Sequence, residues 1–172
     1  MSLKYKHGGE VSDSIGLLIS ILVRYPEVGT INYEPHDQVL RFTFMLAQPV
    51  EEERVRAFET KFHKSLEVYN YLEDRDARVI NLHHTYDDQI MSLEVQRDVA
   101  TLSRDEINLI MTLVQEEFGS SLVVENNDEV MEEELILQEE LIDHMLESVK
   151  GTTSERQLIA FREEGRVMVF NK

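Results

Sequence analysis

The segment Ile15 to Tyr25 limits the fold more than any other, because it is apolar at positions 15, 17, 18, 19, 21, 22 and 23. On a helix of 3.6 residues per turn those positions cover nearly the whole circumference, so the helix needs cover on more than one side. Ser12 and Asp13 offer N-cap oxygens ahead of it, and Pro26 stops it. Its apolar run is far shorter than the roughly twenty residues a helix needs to cross a bilayer. Lys4 and Lys6 imitate the start of a secretory signal. Glu10 and Asp13 interrupt that charge, however, and Arg24-Tyr25-Pro26 stands where cleavage would need small residues. The expectation is a cytoplasmic protein whose first helix lies in a core, after a flexible start over residues 1–11.

A sheet with helices on it can supply that cover. Residues 28–33 and 39–46 read as two strands around the turn Glu34-Pro35-His36-Asp37, with Leu40, Phe42, Phe44 and Leu46 on one face. Pro49 and the acids Glu51, Glu52 and Glu53 open a long helix with the stripe Val55, Phe58, Phe62, Leu66, Tyr69 and Leu72. A second hairpin, 79–84 and 89–97, alternates Met91, Leu93 and Val95 toward a core. Ile31-Asn32 matches Ile80-Asn81, and Asp37-Gln38-Val39-Leu40 parallels Asp88-Gln89-Ile90-Met91. The match suggests a duplicated helix-hairpin unit, although turn chemistry alone draws hairpins toward such residues. Ser103-Arg104-Asp105-Glu106 is a capping box for a helix with Ile107, Ile110, Met111, Val114 and Phe118 facing inward, closed by Gly119. A short strand at 122–124, a boundary at 125–128, an acidic helix to Gly151 and a terminal hairpin turned by Glu163-Glu164-Gly165 complete the chain.

The class is therefore α+β, an antiparallel sheet with helices packed mainly on one face, plus a C-terminal helix and β-hairpin. From residue 39 onward the order strand, helix, strand, strand, helix, strand is that of a ferredoxin-like sandwich. In that topology the strands at 28–33 and 122–124 compete for one edge, a conflict that a larger sheet built from the duplicated unit removes. Residues 12–125 form the core domain, and 126–172 pack on it as part of one domain.

Charge narrows the partners. Of 172 residues 34 are acidic and 17 basic, and the net charge of −17 repels phosphate backbones and anionic membranes. Neither nucleic acid nor a membrane is expected as a partner, whereas a basic protein surface is. Residues 126–151 hold nine acids and one lysine, with Glu129, Glu133, Glu140 and Glu147 forming an acidic face opposite the apolar stripe. Arg156, Arg162 and Arg166 are expected to pair with those acids. With no cysteine, disulfides, thiolate nucleophiles and zinc ribbons are ruled out. P-loop, G-x-G-x-x-G, G-x-S-x-G, H-E-x-x-H and S-x-x-K patterns are absent.

One cluster could carry chemistry. His83, His84, Asp87 and Asp88 at the second hairpin, with His36 and Asp37 at the matching tip of the first, could chelate a divalent metal and support a metal-dependent hydrolase. Adjacent strand residues point to opposite faces, so this works only if the strand ends before the histidines; otherwise the cluster is a polar turn. Apart from such a metal, no cofactor is expected. The leading reading is a small regulatory or assembly module acting through protein–protein contacts or small-effector binding, as a homo-oligomer. In it Leu17, Leu18, Ile21 and Leu22 meet a second subunit, unless the last helix or terminal hairpin covers them within one chain.

Overall fold

The computed structural model describes residues 13–124, 131–150 and 156–171; the expected flexible start at 1–11, the boundary at 125–128 and Glu129 lie outside them. The elements are α1 (Asp13–Arg24), β1 (Thr30–Glu34), β2 (Val39–Leu46), α2 (Glu52–Leu72), β3 (Ile80–Asp87) and β4 (Ile90–Asp98). After a short turn at Val99–Thr101 come α3 (Arg104–Phe118), α4 (Glu132–Lys150), β5 (Leu158–Glu163) and β6 (Arg166–Asn171). All six strands join one sheet in the order β3-β4-β2-β1-β5-β6, and every pairing is antiparallel. The α+β class and the C-terminal hairpin follow the sequence expectation. A helix followed by a hairpin occurs three times: α1-β1-β2, α2-β3-β4 and α4-β5-β6. No helix among the described residues is long and apolar enough to cross a membrane.

Alternation fixes which face is covered. Ile31, Leu40, Phe42, Phe44, Met91, Leu93, Val95, Leu158 and Ala160 are buried, and the register places them on one side of the sheet. The helices lie on that side, with α1 against β1, β5 and β6, α4 along α1, and α2 against β3 and α3. In α2, Leu72 departs from the expected inward stripe and is 75% exposed, while the polar Asn70 is buried.

The contest for the edge of β2 has a clear outcome. β1 pairs with it from Thr30↔Thr43 to Glu34↔Val39. The expected strand at 122–124 shrinks to a single bridge, Leu46↔Leu122, flanked by main-chain hydrogen bonds from Ala47 N–H to Ser121 O and from Val123 N–H to Met45 O, both 2.8 Å. A hairpin closed by four residues loses far less loop entropy than a strand arriving some 75 residues later. β1 therefore holds most of the edge. Gly119 ends α3 as expected, but with φ −52° in the right-handed region. Space explains the glycine here, since a Cβ would sit 2.5 Å from Gln115 O.

Candidate functional site

Leu17, Leu18, Ile21 and Leu22, expected at an interface between subunits, are each at most 1% exposed within one chain. α4 lies along α1 and supplies the cover with Ile142, Met145, Leu146 and Val149. The correction follows from the over-apolar circumference of α1, satisfied by a sheet on one side and a helix on the other.

β3 runs on to Asp87, so His83 and His84 are strand residues pointing to opposite faces. His84 faces the helices, its Nδ1 3.0 Å from Glu59 Oε1, and Tyr86 two residues on donates its hydroxyl to Val50 O at 2.9 Å. His83 lies opposite Glu94 on the other face. Asp88 sits in the two-residue turn with φ 56°. His36 and Asp37 occupy the exposed turn of the neighbouring hairpin. Among the described residues no three His, Asp or Glu side chains converge as a metal site would require. On α4, Glu133, Glu140 and Glu147 are exposed, as an acidic face demands. The neighbouring Glu139 is tied to Arg24 and Arg104 at 2.8 and 3.1 Å, and Asp143 to Arg104 at 3.0 Å. Arg162 meets the main chain at the end of α1. Its guanidinium donates to the main-chain oxygens of Leu22 at 2.6 Å, Val28 at 2.7 Å and Tyr25 at 3.2 Å, capping the C-terminal end of α1.

Sequence reasoning missed the largest polar feature, a fully buried arginine. Arg97 would be one more inward residue of β4, and it lies under the end of α2 with its side chain 0% exposed. Its Nε donates to Glu106 Oε2, Nη2 to Glu106 Oε1 at 2.7 Å and to Thr101 Oγ1 at 3.0 Å, and Nη1 to Asp98 Oδ1 and to Val79 O at 3.2 Å. Asn70 donates to Glu106 Oε1 at 3.2 Å, which explains why it, and not Leu72, faces inward. Asp98 Oδ1 also accepts the main-chain N–H groups of Arg78 and Val79, each at 3.1 Å, pinning the loop between α2 and β3. The signal in the sequence was the break in apolar alternation at Arg97, with Glu106 in a capping box whose side chain turns to the arginine.

Burial alone would raise the Asp98 carboxyl, but the N–H of Val79, the Thr101 hydroxyl and the Arg97 guanidinium outweigh it and lower its pKa from 3.8. A carboxyl lowered in the folded state stabilises above its unfolded value, and that stability is lost as pH falls through the folded one. Acid titration of stability is therefore expected to show a loss setting in below about pH 4. Asp98→Asn, measured by urea melts across pH, should be less stable at neutral pH and show a shallower acid limb. An unaltered acid limb would count against the assignment.

The other face of the sheet carries no helix among the described residues. It is polar over β3, β4 and β2, where Asn81, Gln96, Arg41 and Asn32 form one cross-strand row. Over β5 and β6 it is apolar: Ile159 pairs with Phe170 and Phe161 with Met168, and the Phe161 and Phe170 rings stack at 5.6 Å. Met168 is 38% and Phe170 47% exposed. β6 is the outer strand on this side. Comparison with known proteins finds no matching family model, no matching curated protein and no matching solved structure.

Proposed function

We propose that the protein is an assembly module that joins a second copy of itself by pairing β6 with β6 across a two-fold axis. The observation that carries this is the edge of the sheet at β6, which no further strand among the described residues covers. β6 has four consecutive apolar residues, Val167 to Phe170, and Arg166 is its only charged side chain. Natural edges are usually blunted by charge, proline or a bulge, and an edge lacking these is a template for another strand. The opposite edge strand, β3, presents Asn81, His83, Thr85 and Asp87 to its bare face.

The turn at Glu164 and Gly165 has φ 51° and 77°, a two-residue type I′ hairpin closed by Glu163 and Arg166. Such a closing pair exchanges both hydrogen bonds, so by alternation Val167, Val169 and Asn171 aim their N–H and C=O groups away from β5. An antiparallel copy with Met168 opposite Met168 keeps every side chain on its own face. It sets Val167 against Val169 of the copy and the Arg166 guanidinium against the Phe170 ring, a cation–π pair. No like charges oppose each other, which suits a chain of net charge −17. The axis is closed and isologous, so pairing stops at two.

Light scattering is expected to give twice the 20.1 kDa chain mass at micromolar concentration. Val169→Pro removes an outward N–H that no strand among the described residues uses, and should give a monomer whose melting is otherwise that of a folded protein. Met168→Cys introduces the only thiol, at a facing pair about 4.5 Å apart in Cα, and should oxidise to a disulfide-linked dimer. A wild-type monomer throughout the micromolar range, or a dimer that survives Val169→Pro, would overturn the proposal.

A further inference from the structure

We infer that a cleft on the polar half of the bare sheet face binds a small oxyanion, a carboxylate or a phosphate, through Arg41 and Arg78. The cleft has a volume of about 360 Å³ and is lined by Gln38, Arg41, Arg78, Asn81 and Gln96 beside Asp37 and Asp98. That volume lies at the small end of the range for ligand pockets.

Arg78 is the main donor. It is exposed, and its side chain makes no hydrogen bond or ion pair with any described residue, in a chain with twice as many acids as bases. Its backbone, in contrast, is held by the N–H of Arg78 and of Val79 on Asp98 Oδ1. The guanidinium is thus mounted on a fixed point and left unengaged. Arg41 comes from β2, in the row Asn81, Gln96, Arg41. Its Nε is buried without a hydrogen-bond acceptor, and the carboxylate of Glu94 stands off at 3.8 Å. Asn81 Nδ2 donates to Gln96 Oε1 at 3.3 Å, which orients that amide with its N–H₂ as a further donor.

Planar guanidinium forks match the paired oxygens of carboxylates and phosphates, and such charge-assisted bonds are the strong class. Of the two acids at the cleft, Asp98 is paired with Arg97 beneath it, a guanidinium it shares with Glu106. Asp37 and the charge left on that shared pair limit the negative charge the ligand can bring. A larger cleft of about 480 Å³ also uses Arg78, but its other nitrogen-bearing side chains are engaged, His63 with Glu67 at 3.0 Å and Arg75 with Thr101 O at 3.2 Å.

Isothermal titration and thermal shift with inorganic phosphate and with succinate, in a chloride buffer, test the inference on the intact chain. Saturable binding of at least one probe is expected, weakened about tenfold or more in Arg78→Ala and in Arg41→Ala. Glu94→Gln, which removes the competing carboxylate, should tighten it. Binding of phosphate alone assigns a phosphate-bearing ligand, binding of succinate alone a carboxylate, and binding of both the shared oxyanion chemistry. Both arginines are solvent-accessible, so the variants should melt like wild type without probe, and the Val169→Pro monomer should bind equally well. Absence of saturable binding by either probe, or affinity unchanged in both arginine variants, would overturn it.

Discussion

Arg97→Ala is expected to destabilise the protein by about 3 to 5 kcal/mol, because it leaves the carboxylates of Glu106 and Asp98 buried with their counter-ion gone. In a domain of this size each kcal/mol lowers the melting temperature by roughly 2 to 4 °C, so the loss should be of the order of ten degrees or more. The network is worth less than this figure suggests. Taking three charges out of water is itself unfavourable, and most of the loss is the penalty of stranding the two acids. Arg97→Met combined with Glu106→Leu should therefore recover much of the stability that Arg97→Ala loses, leaving Asp98 with Thr101 and its two main-chain donors. Urea melts of the single and double variants decide it. A single variant within about 1 kcal/mol of wild type would mean that water replaces the guanidinium.

Leu18→Asp should be more damaging still, and is expected to prevent folding at ordinary temperature. Leu18 is 0% exposed on α1, a helix held between the sheet on one side and α4 on the other. A carboxylate there has no nearby water and no counter-ion, so it must either remain charged in an apolar environment or take up a proton at a cost of several kcal/mol. Leu18→Ala separates this from simple loss of packing and should cost about 2 to 5 kcal/mol. Melting temperature and far-UV circular dichroism are the readouts, and a Leu18→Asp protein with wild-type melting would refute the two-sided burial.

The elements with strict periodicity were legible. Leu40 to Leu46 announce β2 by alternation, and its bounds agree with those observed. Ser103 caps α3 by accepting the Glu106 N–H at 3.2 Å, as its capping box requires. The burial of α1 was also legible as a demand for cover, but the sequence does not say which element answers it. Covering by α4 and covering by a second subunit satisfy the same apolar circumference. The histidine cluster was misplaced by strand length. Turn residues at Asp87 and Asp88 suggested an early end, whereas His84 and Tyr86 carry the alternation further by packing toward Glu59 and Val50. Arg97 escaped because, besides the adjacent Asp98 and nearby Thr101, the partners that enclose it lie 9 residues away at Glu106 and 27 at Asn70, and only the fold brings them together. The cleft at Arg41 and Arg78 exists only once the sheet register brings β2 beside β4.

The grip of Arg162 on the end of α1 has a consequence for how the chain is made. The contact joins residues 140 apart, so α1 leaves the ribosome well before the arginine that completes its C-terminal turn. Until α4, β5 and β6 emerge, α1 carries an apolar side that nothing covers, and β1 has one row of main-chain groups waiting for β5. Nascent chains stalled short of residue 158 should therefore be recognised by chaperones and cut readily by proteases, with resistance arriving late and all at once.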